Sequence, residues 1–315
     1  VSVADEKPAL DAILQKVLEL VPFQLSTADG VEVARRKFSE LPRAEIHPEL
    51  NVQDRTIDGP AGPIPVRVYR PPTPENVKLP VVLFFHGGGW SVGDLDSYDT
   101  TARRHAAGAE AVVVSVDYRL APEHPYPAAV DDVWAATQWV AAHADEFGGD
   151  AERLAVAGDS AGGNLAAVVS QLARDTGAPA LRFQLLWYPA TTWDTSLPSF
   201  TENADAPILA IDAVKGFSAW YAGHVDLTDP PATLVPARAA DLSGLAPAYI
   251  AVAGHDPLRD DGVRYGELLA AAGVAVEVHN ADTLVHGYLG YSGVVPAATA
   301  AFDRGLAALR AALYR

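Results

Sequence analysis

Cysteine and methionine are both absent from this chain of 315 residues. Without cysteine no disulfide framework can form, and the redox compartment stays open, since such a protein folds in either. Without methionine, the initiator is not in this numbering. Long apolar runs are missing too: no stretch approaches the ~20 residues of a membrane span, so no stable membrane insertion is expected. The first residues carry early acids and no apolar core of a secretory leader. No signal peptide is expected, and the cytoplasm is the default location, with a leader removed beforehand left open. Positive charge is also scarce. Lys and Arg number 23 against 40 acidic side chains, a net charge of −17. Such a surface repels phosphate backbones and anionic headgroups, which argues against nucleic-acid and polybasic membrane roles.

What is present begins with a 49% hydrophobic composition, ample for one core of about 200 to 250 residues plus an appendage. Residues 153–157 (RLAVA) read as a buried strand and 163–174 as a helix. Between them stands Gly158-Asp159-Ser160-Ala161-Gly162. A serine on so sharp a strand-to-helix turn has a strained backbone and an exposed hydroxyl, the arrangement of a nucleophile elbow. Upstream, the apolar strand 81–85 (VVLFF) runs into His86-Gly87-Gly88-Gly89-Trp90. Consecutive glycines cost conformational entropy. They make sense where bare backbone N–H groups must face a ligand, as in an oxyanion hole for acyl transfer. A phosphate cradle is the weaker reading, because no Lys-Ser/Thr pair follows.

An elbow serine needs a base, and the partners in such folds follow the serine in the order acid, then histidine. Of nine histidines, four lie downstream: His224, His255, His279 and His286. His279 ends the strand-like run 274–279 and reads as structural or surface. His286 sits on the polar loop expected after it, where an α/β sheet presents its chemistry, and is the base. The acid is Asp256, first on the loop after strand 248–253 and held by Pro257. Asp260 and Asp261 open the next helix, where acids suit the N-terminus for capping reasons.

In order, HGGGW at 86–90, DYRLAPEHPYPAAVDD at 117–132, GDSAG at 158–162, HDPLRD at 255–260 and HGY at 286–288 make the chain resemble the hormone-sensitive-lipase-like esterases of the α/β-hydrolase fold, over roughly residues 52–315. The resemblance implies Ser160 as nucleophile, Asp256 as acid and His286 as base, with oxyanion donors at the N–H groups of Gly88, Gly89 and Ala161. It implies a structural part for His86, bracing the glycine loop, and for the proline-rich 117–132 stretch, including the Glu123–His124 pair. A homodimer through the last strand and final helix is a further expectation. No cofactor and no metal is called for. The run of Asp94, Asp96 and Asp99 lacks the glycine and distal glutamate of a calcium loop and reads as loop chemistry and capping. Asp159 reads as fixing the loop beside the serine.

The expected fold is α/β, a mostly parallel eight-stranded sheet flanked by helices. Edge strands lie within 52–69, and parallel strands follow at 81–85, 111–117, 153–157, 183–188, 248–253 and 274–279. Helices at 10–20 and 26–41 precede any strand, and no strand is evident between Pro189 and Gly244. Residues 1–45 are therefore expected as cap helices and 46–315 as the hydrolase core, with a cap insertion at about 196–233. Trp90, Trp187, Tyr188, Phe217 and Trp220 are candidate wall residues of the site beneath. The function expected is hydrolysis of carboxylic esters through an acyl-enzyme; the resemblance implies short to medium acyl chains, which the residues themselves do not specify, and the net charge favours neutral esters. Amide or formamide hydrolysis on the same residues and a non-catalytic small-molecule receptor are the alternatives.

Overall fold

Two polar strands with alternating burial, β1 (Asn51–Gly59) and β2 (Gly62–Arg70), pair antiparallel and close at Gly59 and Gly62. They edge a sheet whose inner strands carry buried apolar runs, as burial on both faces requires. These strands are β3 (Leu79–Phe85), β4 (Val112–Val116), β5 (Gly149–Asp159), β6 (Leu181–Trp187) and β7 (Ala248–His255), and β8 (Val276–Val285) forms the far edge. The computed structural model describes residues 7–315; residues 1–6, and with them the reading of the chain's start, lie outside the described residues. The strand order is β1-β2-β4-β3-β5-β6-β7-β8, antiparallel at β1–β2 and β2–β4 and parallel from there on.

Alternate residues of β3 feed two cores. Val81, Leu83 and Phe85 pack with α4 (Ala128–His143), α5 (Ala161–Thr176) and α8 (Arg259–Ala271). Val82 and Phe84 pack with α3 (Asp99–Ala109) and α9 (Pro296–Leu313) on the opposite face. Trp187 belongs to this second core. Its indole N–H donates to His105 Nε2 at 3.0 Å, and its ring lies 5.2 Å from that of Phe302.

Four further helices stand apart from the sheet: α1 (Ala12–Leu20), α2 (Val31–Ser39), α6 (Pro198–Glu202) and α7 (Ile211–Ala222). Asp11 caps α1, its carboxylate accepting from the N–H groups of Ile13 and Leu14 at 2.9 Å. The two chain segments meet where Leu25 N–H donates to the Ile208 carbonyl at 2.8 Å and Ile208 N–H to Gln24 Oε1 at 2.9 Å. Arg35 of α2 forks onto Glu123 at 2.6 and 2.9 Å and donates to the Ser91 and Ala121 carbonyls. Leu209, Ala213 and Phe217 bury against Val92, with Leu25 and Phe38 packed alongside.

One boundary differs from expectation in a way that matters for the site. The stretch after His279 is strand, not polar loop: β8 continues to Val285. Its polarity reflects an edge position, since β8 pairs only with β7. The ladder slips between Ala253 and His255, where a Cβ on Gly254 would stand 1.9 Å from the Asp282 carbonyl oxygen. The missing side chain admits that carbonyl, and β8 carries His286 directly off its end.

Candidate active site

Ser160 connects β5 to α5 with φ 55° and ψ −115°, a left-handed conformation strained for any residue with a Cβ. The turn is tight because its glycines have no room. A Cβ on Gly162 would lie 1.9 Å from the Phe85 carbonyl oxygen, and one on Gly158 2.2 Å from the Gly162 carbonyl oxygen. Ser160 N–H donates to the Trp187 carbonyl at 2.8 Å, which leaves the side chain facing outward beyond the sheet.

Two other strand ends deliver its partners. His286 Nε2 is 2.8 Å from Ser160 Oγ, and its Nδ1 is 2.7 Å from Asp256 Oδ2. Asp256 is fully buried and His286 nearly so. The other carboxylate oxygen of Asp256 accepts from Leu258 N–H at 2.8 Å. Asn203, at the end of α6, donates to the Asp256 carbonyl at 3.0 Å and to that of Gly254 at 3.2 Å. The acid is thus fixed on both sides, so the imidazole must present Nδ1–H to Asp256 and a lone pair to the serine hydroxyl.

The glycine loop lies alongside. Gly88 and Gly89 have φ 102° and 57°, and a Cβ on Gly89 would stand 2.3 Å from Phe217 Cγ. Among the described residues, their N–H groups donate to no protein acceptor. The Ala161 N–H is an unpaired amide at the first turn of α5, where the helix field favours negative charge. The loop is held from below. Gly87 N–H donates to Asp159 Oδ1 at 2.9 Å, and the Tyr98 hydroxyl to Oδ2 at 3.0 Å. Burial pushes the Asp159 carboxyl up to about 6, with the Tyr98 and Gly87 hydrogen bonds pulling the other way. His86 stacks on Tyr118 at 4.4 Å, its Nδ1 lies 2.7 Å from the Gly87 carbonyl oxygen, and burial pushes it down to about 4. A neutral ring turned toward its own loop is no second base.

Other candidates land elsewhere. His255 Nε2 lies 2.9 Å from the Pro8 carbonyl, and Glu123 is held by Arg35. Asp96 and Asp99 pair with Arg67, while Asp94 accepts from Ser97 N–H. Asp260 and Asp261 stand in the first turn of α8, as expected of residues opening that helix, but make no capping hydrogen bond to it. Their carboxylates reach outward, Asp260 to Ser199 N–H at 2.8 Å and Asp261 to the N–H groups of Thr191 and Thr192 at 2.6 and 3.1 Å. Two residues around the site are not among the sequence candidates. Tyr98 lies in the 93–99 run, where the aspartates dominate the pattern. Asn203 carries no local signal, being 53 residues from Asp256.

Above Ser160 and His286 opens a cavity of about 950 Å³, roofed by residues of α1, α2, α6 and α7. Trp90, Tyr188 and Phe217 line it, as expected. Trp187 and Trp220 do not: Trp187 is buried on the far face of the sheet, and Trp220 stands edge-on to Phe217 at 5.6 Å. No helix of the described residues is long and apolar enough to cross a membrane.

Comparison with known proteins bears on the whole chain. Residues 82–290 match a family model described as alpha/beta hydrolase fold. The chain is 66% identical over 312 residues to esterase LipI of Mycobacterium tuberculosis, covering 99% of this chain and 98% of that protein. It is 58% identical over 314 residues to carboxylesterase NlhH of the same organism, with 98% of each covered. Among solved structures, that of DphMB1 superposes with a TM-score of 0.94 at 72% identity, covering 97% of this chain and 99% of the other.

Proposed function

The chain belongs to the hormone-sensitive-lipase-like esterase family of the α/β-hydrolase fold and is a carboxylesterase, and on that premise we propose that Ser160, His286 and Asp256 carry the reaction. Ser160 Oγ attacks the ester carbonyl as His286 Nε2 takes its proton. Asp256 keeps the Nδ1 proton in place and offsets the charge of the imidazolium. The carbonyl oxygen, now an anion, is received by the N–H groups of Gly88, Gly89 and Ala161; one such donor is worth about 3 to 4 kcal/mol of barrier. His286 then protonates the departing alcohol, and a water that it deprotonates hydrolyses the acyl-enzyme. The observation that carries this reading is the unbroken Asp256–His286–Ser160 chain, at 2.7 and 2.8 Å, beside uncommitted amides on a cavity floor.

Residues 7–45, the described part of the expected 1–45 cap, and about 196–233 act in this reading as a cap that excludes water and so strengthens the electrostatics beneath it. The substrates are short- to medium-chain esters. A homodimer through β8 and α9 fits the outer edge of β8, against which no further strand pairs among the described residues, and sedimentation velocity tests it. The reaction itself is tested with 4-nitrophenyl esters from acetate to laurate against the matching anilides. Turnover of the esters far above the anilides, lost in Ser160→Ala, supports ester hydrolysis at Ser160. Equal turnover of anilides favours the amidase alternative, and wild-type rates in Ser160→Ala overturn the assignment.

A further inference from the structure

We propose that the cavity takes esters bearing a carboxylate remote from the scissile bond, and that Arg104 binds that carboxylate; the proposal rests on Ser160 being the nucleophile. Two arginines line the cavity, and they differ. Arg43 is fully committed, donating to the carbonyls of Ser97, Ser39, Leu41 and Phe38 at 2.6 to 3.0 Å. Arg104, on α3, is not. Its side chain is only 19% exposed, and its nearest carboxylate, Asp303, stands 4.0 Å away and is itself 65% exposed. Among the described residues its guanidinium makes no hydrogen bond; it lies over the Phe302 ring at 5.6 Å and against Gly293.

Other donors on the cavity wall are uncommitted as well. Thr101, one turn earlier on the same face of α3, and Tyr291, two residues before Gly293, line the same cavity. Neither hydroxyl has a hydrogen-bond partner among the described residues. A half-buried guanidinium offers a rigid fork of N–H donors, and leaving that fork unmatched in an apolar surround is costly. A carboxylate matches it bidentately, and the two hydroxyls supply further donors. The net charge of −17 works against anionic substrates only during approach. At physiological salt its reach is about 8 Å, whereas the guanidinium acts at contact. The expectation of neutral esters therefore describes the encounter, and Arg104 describes the bound state.

The test compares kcat/KM for 4-nitrophenyl half-esters of linear dicarboxylic acids, with four to ten carbons, against their methyl-capped counterparts. Acetates of ω-hydroxy acids and their methyl esters form a second arm with the carboxylate on the alcohol side. In the wild type the charged-to-neutral ratio should peak at one chain length, and the arm in which it peaks identifies the side of the ester that reaches Arg104. Arg104→Gln should lower that peak about ten-fold or more, chiefly through KM, and Arg104→Lys should keep part of it. Asp303→Asn, which removes the competing carboxylate, should raise it. A ratio flat with length in both arms, or a peak unmoved in Arg104→Gln, overturns the proposal. The methyl-capped esters keep the two readings apart: their turnover in the wild type and its loss in Ser160→Ala carry the nucleophile assignment whatever the charged series does.

Discussion

The floor and the roof of the cavity are built on different principles. On the floor, the acids and histidines near the reacting atoms are held by specific hydrogen bonds: Asp256 to Leu258 N–H and His286, Asp159 to Gly87 N–H and Tyr98, His86 to its own loop. Backbones approach so closely there that glycine is the only residue that fits, as at Gly162 against Phe85. The roof is mixed. α6 is tied to the floor by hydrogen bonds of Ser199 and Asn203 and by the Glu202–Arg259 ion pair, whereas α1 rests mainly on apolar contact and ends on Leu20, 82% exposed. One ionic tie, Arg35 to Glu123, joins α2 to the loop below. A floor of obligatory partners holds one geometry; the parts of the roof that rest on apolar contact can vary in shape without disturbing it.

Substitutions distinguish the two regions. The largest effect is expected at His286→Ala, which should lower kcat about 10⁴- to 10⁶-fold with the fold intact; loss of activity through unfolding, seen by circular dichroism, would remove the floor's claim to a purely chemical role. Next, Gly162→Ala should cost about 3 kcal/mol of stability or more, because its methyl would overlap the Phe85 carbonyl. Chemical denaturation that finds it neutral would mean the elbow can relax.

Asp159 offers a test by pH. Folding raises its carboxyl from the ordinary 3.8 to about 6, so the folded state binds the proton more tightly than the unfolded chain. The buried carboxylate therefore costs stability above pH 6, about 3 kcal/mol by linkage. That cost fades as pH falls through 6 toward 3.8. Asp159→Asn should accordingly gain on the wild type more at pH 8 than at pH 4.5, and a stability difference independent of pH would contradict this. The smallest effect belongs to the roof: Leu20→Ser, on the exposed face of α1, should change stability by no more than about 0.5 kcal/mol, as thermal unfolding would show.

The same contrast explains what could be read from the sequence. Floor geometry needs particular residues at particular spacings. The bare amides need Gly88 and Gly89, the elbow needs Gly158 and Gly162, and so the motifs stand out in a linear string. The inner strands were legible for a related reason, since burial on both faces leaves β3 and β4 without polar residues except Ser115. The end of β8 was not legible: at a sheet edge Asn280 and Asp282 are ordinary strand residues, and only Gly254, on the neighbouring strand, carries a trace of the close approach. Aromatic residues misled as well. Trp187 and Trp90 are equally apolar in sequence, but one supports the far face of the sheet and the other lines the cavity. The partnership of Asn203 with Asp256 depends on a turn of chain that no local pattern encodes.

If one hydroxyl, activated through His286 by Asp256, is the nucleophile, a fluorophosphonate added to the intact protein should leave a single phosphonyl group on Ser160, located by peptide mass mapping, with labelling abolished in His286→Ala. An adduct on any other residue, or labelling of His286→Ala at the wild-type rate, would contradict that assignment.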